Sequence, residues 1–410
     1  MKPLSLDVIS RYLTKNVIAE VFKLKTDSDE DIENIELTKA APNGEGLLSA
    51  VYRIKVTGKR YSTSFIGKGF VDNERIKNSL NCAELFRREA LFYSDVLPIL
   101  VDLQQSLGAS ECIQNSVPIC YGCYLDGVND YIVLEDLGES RCKSLTKHPT
   151  KCERDSVLET LAHLHAVSMT LRIKKPDEFK RIADLIPEAY YTEKNRDWYS
   201  KFQHKAVMID QAILIEHEDP SSVYYKKYNE LLGQDVYGCL IEMTTTRGDF
   251  TVINHGDSWT PNFLRSKGRT VAIDFQMIRC ASPVTDLMLF LFMCTNVCSN
   301  VEQFEEALDH YYNFLDYFLK DMGMDVAIVF PRDAFENELK IYGKFGFLTC
   351  LTSIPLLANE GTSALQLTED FPEHSRIPLE KLWDISPIKN EQYQMRFVNA
   401  LRLAVDANLI

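Results

Sequence analysis

The sequence predicts an α+β fold in two lobes, a small β-rich N-terminal lobe with one long helix over residues 1–135 and a larger, mainly helical lobe over 136–410. Three observations lead there. Residues 1–135 alternate strand and helix signals, residues 155–410 show mostly the 3.6-residue periodicity of helices, and between them, at 136–140, an apolar strand gives way to Gly and polar residues.

Residues 46–56 (GLLSAVYRIKV) and 61–70 (YSTSFIGKGF) are β-rich and meet at Thr57-Gly58-Lys59, which predicts a hairpin. Residues 79–97 carry Leu85, Phe86, Phe92 and Val96 at helical spacing and predict the long helix, ending before Pro98 because proline lacks the N–H that a helix interior needs. Two further short strands are expected at 120–124 and 131–134, about the turn Asp126-Gly127. Taken alone, residues 131–137 read as an edge strand running into a linker. In the second lobe helices are expected over 157–171, 223–232, 285–298, 301–321 and 333–353. Between them Thr251-Val252-Ile253 and Arg269-Thr270-Val271-Ala272-Ile273 read as two apolar strands that hold a short loop as a hairpin. The chain has no internal repeat and no low-complexity stretch.

Composition narrows the class. With 45% hydrophobic and 25% charged residues and only 18 Gly and 15 Pro in 410, the chain is globular. Lys+Arg 45 against Asp+Glu 59 leaves a net charge of -14, the wrong sign for sequence-independent nucleic-acid binding. A polyphosphate would have to be held by local lysines and metal. Eleven Cys, an odd number without a repeating spacing, suit free thiols in a reducing compartment. Cys120-Tyr121-Gly122-Cys123 lacks the second pair that a zinc site wants, so neither a metal nor a redox role is expected of it. Lys2, Asp7, Arg11, Lys15 and Glu20 interrupt the apolar positions of residues 1–20, so no signal-peptide core is read there. Residues 287–297 are too few to span a bilayer and read as a buried helix. The expectation is a cytoplasmic protein without membrane insertion.

The chemistry concentrates in Asn254-His255-Gly256-Asp257-Ser258-Trp259-Thr260-Pro261-Asn262 and Ala272-Ile273-Asp274-Phe275-Gln276. His-x-Asp, four intervening residues, Asn, and a second Asp after an apolar strand is the spacing that phosphoryl transfer from a nucleotide needs. One carboxylate, Asp257, takes the proton of the acceptor hydroxyl, and a short loop can hold it within reach. Magnesium prefers hard oxygen ligands and keeps several waters, so the amide of Asn262, the carboxylate of Asp274 and the phosphates suffice for it. Pro261 fixes φ just before Asn262 and stiffens the loop. Lys68 stands in the apolar and small run Phe65-Ile66-Gly67-Lys68-Gly69-Phe70, where a charge must find a partner or reach water.

These motifs, with Ser282-Pro283 leading to Asp286-Leu287, resemble the ecdysteroid kinase-like (CHK kinase-like) family of insects, in the choline kinase and aminoglycoside phosphotransferase group of the protein-kinase-like fold. Trp259 and the Asp-Phe-Gln form at Gln276 are the family-specific marks, and the resemblance covers almost the whole chain. It implies that a nucleotide-binding lobe, 1–135, and a catalytic and acceptor-binding lobe, 136–410, together form one kinase-like domain, and that the protein is an ATP- and magnesium-dependent kinase acting on an alcohol hydroxyl. It further implies that Lys68 holds the nucleotide phosphates with Glu89 as its helix partner, and that adenine bonds backbone groups around Leu134 and Asp136. Ser49, in the degenerate loop Asn43-Gly44-Glu45-Gly46-Leu47-Leu48-Ser49, becomes a phosphate contact. His165 is read as a satisfied core histidine, and Asp286 as an anchor of the catalytic loop.

For the acceptor, the resemblance implies an ecdysteroid or a detoxification substrate such as a plant or xenobiotic glycoside or phenol. A choline or ethanolamine kinase is the alternative, with Tyr190, Tyr191 and Trp198 as aromatic partners for a cation. A nucleotide-binding pseudokinase acting as an interaction module is the reading from another class. Within 338–353, Gly343 and Gly346 are read as leaving room beside Tyr342, Phe345 and Phe347 for a flat apolar alcohol, against the alternative of plain helix packing.

Overall fold

Period-two patterning builds one antiparallel sheet from β1 (Ile32–Lys39), β2 (Ser49–Gly58), β3 (Ser62–Phe70), β4 (Cys120–Tyr124) and β5 (Tyr131–Glu135), in the order β1-β2-β3-β5-β4. The computed structural model describes residues 4–40, 49–70, 73–146, 148–266, 268–359 and 376–410. The β2–β3 hairpin runs from Ser49 opposite Phe70 to Thr57 opposite Ser62, and Gly58 N–H closes the turn on Tyr61 O at 2.9 Å. Alternate residues of β5 face opposite ways. Tyr131 and Val133 join Ile54, Val56 and Phe65 under the helix Lys15–Thr26, whereas Ile132 and Leu134 join the main core beneath the helix Cys82–Leu91.

Two local expectations change here. Strand β5 is not an edge: it lies between β3 and β4 with Tyr131, Ile132, Val133 and Leu134 all buried. An uninterrupted apolar run is what a strand covered on both faces requires. The long helix does not stop before Pro98. After Cys82–Leu91 the chain makes a π-helical turn, Phe92–Val96, and continues as Leu97–Ser106 with Pro98 in its first turn. A wider turn at this point relieves the clash between a proline ring and the carbonyl four residues back, so the helical path survives the proline.

The second lobe is helical around two small sheets. β7 (Val252–Asn254) pairs with β10 (Arg279–Ala281), while β8 (Phe263–Ser266) pairs with β9 (Arg269–Ala272) and with β6 (Lys143–Ser144). The two apolar strands of the motif therefore do not form one hairpin. The tight turn at Gly268, φ 83°, lets β9 fold straight back on β8, and β7 takes its partner from beyond the motif. The helix Pro283–Cys294 runs through the core, capped by the Ser282 hydroxyl accepting from Val284 N–H. The segment expected as one helix over 333–353 is two, Arg332–Tyr342 and Lys344–Ala358, broken at Gly343. The stretch Arg332–Ala358 is long and apolar enough to cross a bilayer, but 67% of its apolar window is buried inside the fold, and core packing accounts for it.

The same packing corrects the reading of the glycines. A Cβ on Gly346 would lie 2.6 Å from the Phe292 ring and 2.8 Å from the Met288 carbonyl, so the glycine marks a close crossing of two helices and not a gap beside a ligand. At Gly343 a Cβ would meet the Leu339 carbonyl at 2.3 Å and Leu409 at 2.6 Å. Gly346→Leu is expected to lower stability by about 1–3 kcal/mol or more through overpacking. Chemical denaturation measures it; a variant as stable as wild type with altered acceptor choice would reinstate the gap.

Candidate active site

The loop after β7 is held from beneath by one carboxylate. Asp286, in the first turn of Pro283–Cys294, is fully buried and accepts from the N–H groups of His255 at 2.7 Å and Gly256 at 2.9 Å, and from His165 Nε2 at 3.2 Å. Burial alone would raise its carboxyl, but the hydrogen bond and charge of His165, aided by Arg279 and His255, hold it below the ordinary range. Asn254 locks the start of the loop to β10, with its amide donating to Ser282 O and Thr285 Oγ1 and accepting from Ala281 N–H. Gly256 has φ +82°, and a Cβ there would fall 1.9 Å from the Met277 carbonyl, so only glycine fits. His255 donates from Nε2 to Ile273 O at 2.9 Å and accepts Asp257 N–H at Nδ1, which fixes a neutral tautomer; burial lowers its pKa. It orients the loop and is too committed to act as a base.

Asp257 and Asn262 stand at the two ends of this loop and bond each other. The Asn262 amide donates to the Asp257 carbonyl and to its carboxylate, both at 2.9 Å. Both its hydrogens are then used, leaving Oδ1 as the atom with coordinating capacity. Burial in the cleft, with the charge of Asp274 adding to it, pushes the Asp257 carboxyl up to about 7, against the opposing pulls of Asn262, Arg279 and Trp259.

Asp274 follows β9 in a left-handed conformation, φ 66°, which turns its carboxylate toward the N-terminal lobe. Its Oδ1 lies 3.2 Å from Lys68 Nζ, which donates on its other side to Glu89 at 2.6 Å. Burial works against the Lys68 charge, but Asp274 and Glu89 outweigh it and raise its pKa. Burial raises the Glu89 carboxyl to about 7, with Lys68 opposing and Asp274 adding to the rise. Phe275 stacks on Phe92 at 3.6 Å and lies 4.7 Å from the His255 ring, so one buried side chain fixes the Asp274 turn against both the N-lobe helix and the loop.

Sheet register brings the candidate residues of the N-terminal sheet to one face. Val51 opposes Lys68, Ile132 also opposes Lys68 and Leu134 opposes Ile66, so Ser49, Lys68, Ile132 and Leu134 share the face toward the cleft. Ser49 is the first residue of β2; residues 43–48 of its loop lie outside the described residues. The adenine contact expected at Asp136 is one of its backbone, and its side chain is committed elsewhere. The carboxylate is buried and taken by Arg53 at 2.5 Å and Ser64 Oγ at 2.6 Å, and its carbonyl accepts from Glu139 N–H. Its backbone N–H is the group still able to serve a base.

The donor set suits a hard divalent cation. Two carboxylates, of Asp274 and Glu89, share the ammonium of Lys68, the charge of Asp274 also reaches Asp257, and Glu89 Oε1 is buried without a partner. No group of three His, Cys, Asp or Glu side chains that could hold a metal occurs among the described residues. A site of one or two carboxylates and an amide, completed by phosphates and water, is the magnesium pattern and not a closed protein cage.

Beside the loop lies a group of aromatic rings. Tyr190 sits near enough to Asp257 to feel its charge and packs edge-on to Tyr191 at 5.0 Å and Tyr199 at 5.8 Å, with Tyr237 4.9 Å from Tyr199. Phe345 meets Tyr191 at 6.2 Å, whereas Phe347 packs against Tyr228 and Phe397, away from this cluster. The Trp198 ring already carries the Arg376 guanidinium 3.8 Å from its centroid. Arg279 and Glu188 beside this cluster had no signal in the sequence, because neither belongs to a spaced motif.

The ecdysteroid kinase-like family profile matches residues 43–324. No curated protein matches the chain. Among solved structures, the chain is similar to a choline kinase from Cryptosporidium parvum Iowa II, 11% identical over 92% of this chain and 91% of that one with a TM-score of 0.45. An ethanolamine kinase from Plasmodium vivax is 12% identical over 91% of this chain and 83% of that one, TM-score 0.41. A choline/ethanolamine kinase family protein from Mesorhizobium loti is 13% identical over 91% and 90%, TM-score 0.39. Because the family profile spans well over half of its length, the protein belongs to the ecdysteroid kinase-like family and is a phosphotransferase.

Proposed function

We propose that the protein transfers the terminal phosphoryl group of ATP, with magnesium, to an alcohol hydroxyl of a small molecule. The observation that carries this is the meeting of Lys68 and Asp274, from different lobes, with Glu89 behind the lysine and the Asp257–Asn262 pair beside the carboxylate. Lys68 holds the phosphates, Glu89 keeps it aimed, and Ser49 and the backbone at Leu134 and Asp136 complete the nucleotide side. Asn262 and Asp274 hold magnesium, which when bound neutralises phosphate oxygens and the charge that develops during transfer. Asp257 receives the proton as the acceptor oxygen bonds to the γ-phosphorus and the bond from that phosphorus to the β,γ-bridging oxygen breaks, releasing ADP. Its raised pKa matches a base working near neutral pH. We place this activity in the cytoplasm, a setting supported by eleven cysteines that are all free thiols.

As acceptor we propose a neutral alcohol with a flat apolar body, either an ecdysteroid or a detoxification substrate of an insect. The tyrosines beside Asp257 support a body of that kind. Of the three rings named for a choline-type cation, Trp198 already carries the Arg376 guanidinium, and Arg196 lies over the neighbouring Tyr237 ring, so these two faces hold positive charge and weigh against such a cation. A thermal-shift titration with ATP, with and without magnesium, tests the nucleotide reading, and mass spectrometry of a metabolite extract incubated with ATP and protein tests the acceptor. No magnesium-dependent shift and no phosphorylated product would leave the binding-module reading standing.

The metal ligands are separable by charge. Asp274 is ionic and Asn262 offers a neutral oxygen, so Asp274→Asn is expected to raise the magnesium requirement more than Asn262→Ala does. Magnesium titrations of ATP turnover in the reverse order would exchange the two roles.

A further inference from the structure

Two buried arginines join the parts of the cleft that no catalytic motif connects. Arg279, 1% exposed, stands opposite Asn254 in the β7–β10 pair and donates from Nη1 to Gly256 O at 3.1 Å, directly behind Asp257. Its Nε lies 3.5 Å from Glu188 Oε2, and the other oxygen of that carboxylate accepts the backbone N–H groups of Ala189, Tyr190 and Tyr191 at 2.9, 2.6 and 3.1 Å. The aromatic segment at the base thus hangs from Glu188, and Glu188 from Arg279. Arg88, also 1% exposed, precedes Glu89 on the N-lobe helix and donates to Glu84, to Ile278 O next to Arg279 at 2.9 Å, and to Pro187 O next to Glu188.

Every link but one is a closed hydrogen bond. The Arg279–Glu188 contact is too long to be one, and Arg279 Nε and Nη2 and Glu188 Oε2 are buried without hydrogen-bond partners. Groups so placed gain from closer approach, since an unmet charge in a dry site is costly. A small shift of the helix that carries Glu89 would reach this slack pair through Arg88.

We propose that Arg279 is a positioning residue that ties the Tyr190–Tyr191 segment to the catalytic loop, and that through Arg88 nucleotide binding at Lys68–Glu89 orders that acceptor-side segment. The proposal rests on the kinase reading for the site that binds nucleotide. Lys68 and Glu89 sense the phosphates, Arg88 moves with the same helix, and the 278–279 and 187–188 backbones move with Arg88. Ordered binding follows, with the acceptor side completed after the nucleotide is in place.

Hydrogen exchange at Ala189, Tyr190 and Tyr191, with and without AMP-PNP and magnesium, tests this on the full chain, and calorimetry reports AMP-PNP affinity separately. In wild type the nucleotide should slow exchange at these three amides roughly fivefold or more, the low end of ordinary coupling. Arg279→Met should abolish that ratio while AMP-PNP affinity stays near wild type, whatever it does to the baseline exchange. Should Arg279→Met fail to fold, Glu188→Gln keeps an oxygen for the three N–H groups, removes the charge that Arg279 faces, and should likewise lose the ratio. Nucleotide binding without protection in wild type, or protection that persists in either folded variant, overturns the coupling alone. Absence of AMP-PNP binding overturns the kinase reading and the coupling with it.

Discussion

Asp257→Asn will bind nucleotide nearly as wild type does and lose roughly 10²-fold or more of its turnover, the scale of a positioned acid or base. The substitution is close to isosteric, and Asn262 can still donate to the side-chain oxygen that replaces Oδ2. What disappears is the proton acceptor. Lys68 and Glu89, to which the proposed reaction assigns the nucleotide phosphates, keep their contact at 2.6 Å. Turnover of whichever acceptor mass spectrometry identifies, beside an ATP binding isotherm, separates the two quantities. Full activity in the variant would remove Asp257 from the chemistry.

The largest stability loss is expected for Asp286→Ala, about 3–5 kcal/mol, the range for removing one partner from a buried charged network. The variant strands the N–H groups of His255 and Gly256 and leaves His165 facing only the Tyr311 hydroxyl, 2.9 Å from its Nδ1. The pH dependence carries a sign. Because the folded-state pKa of Asp286 is depressed, its contribution is present above the ordinary carboxyl value of 3.8 and is lost as pH falls through the lower folded value. The gap in melting temperature between wild type and variant should therefore be wide at neutral pH and narrow in acid. A gap that is small at neutral pH, or that widens in acid, would show that the loop is anchored elsewhere.

The parts of the site that could be read from sequence were those with spacing. Asp257, Asn262 and Asp274 announce themselves by separation along the chain, and Lys68 by its charge in an apolar run. Glu89 required a resemblance, because Glu84 on the same helix is an equal candidate by periodicity. In the structure Glu84 serves Arg87 and Arg88. Arg88, Arg279 and Glu188 were unreadable for a different reason: the contacts that join them across the cleft, such as Arg279 to Gly256 O and Arg88 to Ile278 O, span 23 and 190 residues, and a lone arginine has no pattern. For the fold, the helix Lys15–Thr26 was within reach. Thr14 caps it and Ile18, Val21 and Phe22 fall on one buried face, an amphipathic pattern that the sequence itself carries. The pairing of β7 with β10 was out of reach, since strand partners are chosen by tertiary packing that no single segment encodes.

The Lys68–Asp274 contact at 3.2 Å has a cost for the first step of any reaction cycle. Each of these groups is the other's counter-ion, so the lobes are latched by the two side chains to which the proposed reaction assigns phosphate and metal. An incoming nucleotide must outcompete an internal rival whose local concentration is set by the fold. Its apparent affinity is lowered by the fraction of molecules in which the latch is closed. Selectivity follows from the same latch: a ligand bringing only an anion can take Lys68 but leaves Asp274 unpaired, and one bringing only a cation does the reverse. A nucleotide that arrives with its metal replaces both halves at once.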